Sequence, residues 1–211
     1  MPTRHIVVSP ERMERWLVGF TERHGPVTHG ATPDAVTIHA ADGAQAQCQV
    51  PFGPLDIDAD APYSGLLAHV RRTRRVGVLL VRRGGHAAGI FDGSTLVESK
   101  VGSRHVQGRT AAGGQSQQRF ARRREKQARE AFAAAADIAA RIILPHVRDL
   151  DAMVCGGDRT ATRQVLSDPR LTPLNELVVS PHIDVPDPKL AVLRRTPDMF
   201  RAVRISLTEP D

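Results

Sequence analysis

The chain has 211 residues, 41% of them hydrophobic and 25% charged, with a formal net charge of +6. That length and apolar content suit one sizeable core or a main domain with a smaller companion, and they exclude disorder throughout. No run reaches the roughly 18 apolar residues of a membrane span, and MPTRHIVVSP lacks the apolar stretch of a secretory signal, so a cytoplasmic protein with no membrane partner is expected.

In chain order, HIVVSP reads as a short strand, and PERMERWLVGFTERHG as a helix that Pro10 opens and Gly25-Pro26 ends, with Trp16, Leu17 and Phe20 inward. AVTIHA and AQCQVPF read as two strands split by Asp42-Gly43. The Pro/Asp-rich GPLDIDADAP then reads as a linker, which sets residues 1–60 apart as a small N-terminal α/β unit and 66–211 as the main domain. A short helix around SGLLAHVRRTRR follows. VGVLLVRR is a buried strand, and HAAGIFDG and STLVESKVG continue it as an antiparallel meander through Asp92-Gly93.

From about Ser116 to about Pro145 the spacing predicts one long helix, because Phe120, Ala128, Ala131, Phe132, Ala135, Ile138, Ala139 and Ile142 recur on one face. At about 100° per residue, Arg119, Arg122, Arg123, Lys126 and Arg129 fall opposite. AMVCGG is a strand with a Gly turn, and DRTATRQVL a helix with Asp158 as N-cap. LNELVVSPHIDV is partly extended, PKLAVLRR helical, and FRAVRISL a last strand. The predicted class is α+β, a mixed sheet with one long basic helix.

The charge is local. Residues 101–130 carry Arg104, Arg109, Arg119, Arg122, Arg123, Arg124, Lys126 and Arg129 against Glu125 and Glu130, an excess that equals the net charge of the whole chain. Such a patch attracts polyanions and gains affinity by releasing condensed counterions, so nucleic acid is the expected partner. An ordinary solvated helix face is the plainer reading of the same residues. Cys48 and Cys155 stand alone, without metal-ligand spacing, and read as buried thiols. No metal and no cofactor is expected.

Within this patch lies GRTAAGGQSQQRFARRREKQ, residues 108–127. Gly108 and Gly113 share the first spacing of a phosphate-binding P-loop, but Gly114 and Gln115 stand where that loop needs Lys and Ser or Thr, which argues against nucleotide hydrolysis. A glycine pair instead lets a backbone enter a space where side chains would clash. Gln115 carries donors and an acceptor but does not titrate near neutral pH, so it can orient water without serving as a strong base. A tip of this kind needs a second surface to complete an active site.

Gly113-Gly114-Gln115-Ser116 followed by Arg119-Phe120-Ala121-Arg122, Arg124 and Glu125-Lys126 resembles the central domain of eukaryotic and archaeal class I release factors. CGGDRTATRQVLSDPRL resembles a later strand, Gly turn and helix of that domain, and the likeness covers about residues 70–207. It implies that domain's sheet and long helix, with Gly113, Gly114 and Gln115 as the catalytic tip. It also implies that Arg109, Arg119, Arg122, Arg123, Arg124, Lys126 and Arg129 contact RNA, the partners being the ribosomal large subunit and peptidyl-tRNA. The codon-reading and GTPase-recruiting domains of those factors find no match here. The chain therefore resembles the bacterial Vms-like release factors, codon-independent peptidyl-tRNA hydrolases that free nascent chains from stalled large subunits; a monomer away from the ribosome is expected.

Two further readings stay open: an endonuclease of the tRNA acceptor 3′ end, and a non-catalytic RNA-binding or ribosome-occluding factor. His105 suits proton transfer if RNA is cut and otherwise reads as a surface or packing residue. Gly156-Gly157 reads as a structural turn more than a phosphate site. Ser180 and His182 have no acid partner in the sequence pattern and are assigned no triad.

Overall fold

The computed structural model describes residues 3–82, 85–103 and 115–210, except for the side chains of 115–125. In chain order the elements are β1 (Thr3–Val8), α1 (Pro10–His24), β2 (Val27–Thr32), β3 (Ala35–Ala40), β4 (Gln45–Gln49), α2 (Leu66–Arg71), β5 (Arg75–Arg82), β6 (Gly85–Asp92) and β7 (Thr95–Ser103). They continue with α3 (Gln115–Ile142), β8 (Ala152–Gly157), α4 (Arg159–Leu166), α5 (Thr172–Asn175), β9 (Val178–Ile183), α6 (Leu190–Arg194), α7 (Pro197–Phe200) and β10 (Val203–Thr208). The protein is α+β, and it divides into two compact units, residues 1–73 with 197–211 and residues 74–196.

The first unit is an antiparallel sheet in the order β1-β10-β4-β3-β2. Its strands alternate: Ala46 and Cys48 of β4 are buried between exposed Gln45, Gln47 and Gln49, and β3 and β10 repeat the pattern. Period-two burial gives the sheet one apolar face. That face receives Met13, Leu17 and Phe20 from α1 and Leu66 and Val70 from α2. Pro10 opens α1, where a missing N–H costs no helical bond, and Gly25 at φ 80° closes it.

Two features of this unit differ from the sequence expectation. β2 was absent from it, because VTHGAT has no apolar alternation; the strand forms as the hairpin partner of β3, with the Ala35 N–H donating to Thr32 Oγ1 at 3.1 Å. β10, expected to finish the main domain, instead lies between β1 and β4. Its half-buried alternation fits a sheet with one covered face, and it closes a register running from Thr3↔Thr208 to Val8↔Val203.

The second unit holds a mixed sheet in the order β7-β6-β5-β8-β9. β5, β8 and β9 run parallel, while β6 and β7 form the antiparallel meander. Central strands of such a sheet are buried on both faces, and β5 is accordingly a continuous apolar run. Leu79, Val81, Ala88, Ile90, Met153 and Cys155 meet α3, α4 and α5 on one face. On the other, Val76, Val78, Leu80 and Val154 are each no more than 1% exposed.

Candidate functional site

β7 ends at Ser103 and α3 begins at Gln115, so the two elements flank the glycine-rich segment. Arg109, Gly113, Gly114 and His105 lie outside the described residues. Gln115 is the first residue of α3; its side chain, and those of Arg119, Arg122, Arg123 and Arg124 on the same helix, also lie outside them. Lys126 and Arg129 are exposed, and the exposed stripe continues through Ala133, Asp137 and Arg141 at three- and four-residue steps. At about 1.5 Å per residue, the 28 residues of α3 span about 42 Å. Its C-terminal half is anchored through Ala135, Ala136, Ala139 and Ile142, whereas its N-terminal half carries the cations.

Polar ties fix both flanks. Arg170 bonds Asp137 of α3 at 2.9 Å and Asp168 at 2.7 Å. The side-chain hydrogen bond from Arg170, followed by that of its backbone N–H, holds the Asp168 carboxyl down at about 2. Glu98 of β7 pairs with His146, just beyond α3, at 3.1 Å. Near the end of β7, Gly102 lies opposite the buried His86 of β6, and a Cβ at Gly102 would collide with the imidazole. Sequence reasoning passed over His86, Gly102, Asp137 and Arg170. A lone glycine or histidine in a strand carries no signal of its cross-strand neighbour, and Asp137 and Arg170 are far apart in the chain.

The glycine turn after β8 is structural. Gly157 has φ 91°, and Asp158 caps α4 by accepting from the Ala161 N–H at 2.9 Å, which occupies the helix N-terminus with a carboxylate. His182 Nε2 donates to the Gly157 carbonyl at 3.0 Å, a bond that ties β9 to this turn. Burial pushes the Cys48 and Cys155 thiols up to about 12, so both are protonated at neutral pH and react only slowly. Among the described residues no group of His, Cys, Asp and Glu is arranged to hold a metal ion, and no helix is long and apolar enough to cross a membrane.

The second unit is thus a mixed sheet backed by a long helix that begins at Gln115 and exposes Lys126 and Arg129. The model of the Actinobacteria/chloroflexi VLRF1 release factor family matches residues 74–206, and the chain belongs to that family. Membership places it among the release factors. Among solved structures, the archaeal translation termination factor aRF1 is similar at 17% identity and a TM-score of 0.45, over 74% of this chain and 46% of that one. An archaeal protein is similar at 16% identity and a TM-score of 0.42, over 75% and 48% respectively. The Vms1 mitochondrial localization core is similar at 10% identity and a TM-score of 0.47, over 96% of this chain and 82% of that one. The chain thus spans just under half the length of the first two. No curated protein matches the sequence.

Proposed function

We propose that this chain is a codon-independent peptidyl-tRNA hydrolase of the cytoplasm, which frees nascent chains from stalled ribosomal large subunits and is a monomer away from them. The observation that carries the reading is the family match over residues 74–206, joined to a GGQ sequence whose glutamine opens α3. The ester joining a peptide to the tRNA ribose is already activated and bound in the peptidyl-transferase centre. A factor entering that centre mainly has to position water and exclude competing nucleophiles.

In this reading Gly113 and Gly114 let the backbone pass between RNA walls, and the Gln115 carboxamide orients a water. The water oxygen attacks the ester carbonyl carbon, the bond to the ribose oxygen breaks, and that oxygen leaves protonated. Gln115 does not ionise, so the proton moves through water and RNA groups. Arg109, Arg119, Arg122, Arg123, Arg124, Lys126 and Arg129 bind the phosphates around the tip. Their contribution weakens as salt rises.

The experiment is to incubate the protein and its Gln115→Ala variant with large subunits carrying labelled peptidyl-tRNA, then resolve the products. Free peptide and full-length tRNA from the native protein, with turnover at least about a hundredfold lower in Gln115→Ala, is the expected result. Peptide retaining a nucleotide remnant identifies a nuclease of the tRNA end and overturns the reading. Binding without turnover in both proteins overturns it in favour of an occluding factor.

A further inference from the structure

The second unit contains a cavity of about 440 Å³ between α4 and the edge strand β9, lined by Cys155, Arg159, Thr162, Arg163, Leu166, Ser167, Asn175, Val178 and His182. Its composition is one-sided. Two arginines and a histidine line it, and no carboxylate does. Arg159 and Arg163 stand one helical turn apart on the same side of α4. Among the described residues neither guanidinium is paired with a carboxylate, in contrast to Arg170, which holds two. Leu166 and Val178 supply apolar walls, and the Cys155 thiol is a neutral floor. Asn175 adds a carboxamide that can donate and accept.

The two cations select an anion, and the apolar walls select a ligand with a flat or apolar body beside that anion. The anion does not sit on the helix N-terminus, which Asp158 already caps. It sits along α4, where paired guanidiniums can grip a phosphate from two directions. An opening of this size admits one nucleotide, and each face of a base stacks well on aliphatic or guanidinium surface.

We infer that the cleft between α4 and β9 is a nucleotide-binding site, with the phosphate on Arg159 and Arg163, the base between Leu166 and Val178, and Asn175 at the base edge. The nucleotide is either an unstacked residue of an RNA chain or a free mononucleotide. Only the choice between these sources rests on the ribosomal role. Binding itself is independent of Gln115 and of hydrolysis.

The basic helix α3 also attracts RNA, so a bulk affinity does not test the site. The test is methyl NMR on the full chain, following Leu166 and Val178 during titration with adenosine 5′-monophosphate and, separately, with a short single-stranded oligoribonucleotide. Ring-current shifts at both methyl groups are expected. Saturation by the mononucleotide alone assigns a free nucleotide, and saturation by the oligonucleotide only assigns an RNA residue. The double variant Arg159→Ala/Arg163→Ala, at two exposed positions, is expected to weaken binding by at least about tenfold. Val178→Glu places a carboxylate in the base site and is expected to abolish the Leu166 shift. Methyl groups that stay still in both titrations overturn the inference, as does an affinity unchanged in either folded variant. Repeating the titration with Gln115→Ala separates this result from the hydrolase reading, since the site is expected to bind equally well there.

Discussion

The two sheets of this protein solve burial in opposite ways. In the first unit the face formed by Thr3, His5 and Val7 of β1, Ser206 and Thr208 of β10, Gln45, Gln47 and Gln49 of β4, and Thr37 and His39 of β3 lies away from α1 and α2. It carries hydroxyls, carboxamides and imidazoles. In the second unit β5, β6 and β8 are buried along nearly their whole length, and their apolar runs leave little room for polar variation. A sheet covered on both faces is a stiff platform, and α3 is mounted on it. The unit with the doubly covered strands is therefore the one from which α3 projects.

The strongest way to break this contrast is to place a carboxylate in each sheet. Val78→Asp, in the middle of β5 with no exposed surface, is expected to destabilise by more than about 4 kcal/mol and to leave the second unit unfolded. Gln47→Glu, on the exposed side of β4, is expected to change stability by no more than about 0.5 kcal/mol. Urea denaturation followed by circular dichroism reads both. Comparable losses would mean that the open face of the first sheet is covered in solution.

A glycine in each sheet sharpens the comparison at a smaller scale. A Cβ at Gly156 would lie 2.6 Å from Ile183 Cγ1 and 2.9 Å from both the Ile183 backbone oxygen and Leu80 Cδ2. The backbone oxygen cannot turn aside, so Gly156→Ala is expected to cost about 2–3 kcal/mol through overpacking. At Gly30 of β2 nothing lies within 4 Å of the added methyl. Gly30→Ala is expected to be neutral or to stabilise by up to about 1 kcal/mol, because it restricts the unfolded chain without a clash. Thermal denaturation of the two variants decides it.

The same contrast explains what the sequence made legible. The doubly covered strands VGVLLVRR and AMVCGG and the amphipathic α3 were readable, since burial on a whole face leaves a run or a helical period. The chain membership of β10 was not. A half-buried strand reads the same wherever it pairs, and its partners β1 and β4 are separated from it by most of the chain. β2 was hidden for a related reason, as an edge strand of small and polar residues whose extended form is imposed by β3. GGQS and the arginines drew attention by residue type and spacing alone, with no need of a cross-chain contact. The cavity between α4 and β9 did not: Arg159 and Arg163 look like any solvated pair until β9 supplies Val178 and His182 across from them.

Each sheet also holds one buried cysteine, and these offer the finest comparison. Burial pushes both thiols from 9.0 up to about 12, so in each case the folded state keeps a proton that the unfolded chain releases near 9. The stabilisation from this difference is fully present below about pH 9 and is lost as the pH rises from 9 towards 12. Replacing either cysteine by alanine is expected to reduce the proton uptake linked to folding in that window by about one, measured from the slope of stability against pH. The two differ in access. Cys48 is fully enclosed between its sheet and α1 and α2, while Cys155, at 3% exposure, is the floor of the cavity. A small neutral thiol reagent is therefore expected to label Cys155 before Cys48 in the native protein, read by peptide mass after short exposure. A nucleotide seated between Leu166 and Val178 is expected to slow that labelling and leave Cys48 unchanged. Equal labelling rates would show that Cys155 is reached by unfolding alone, and that the covering of the second sheet has no gap at β9.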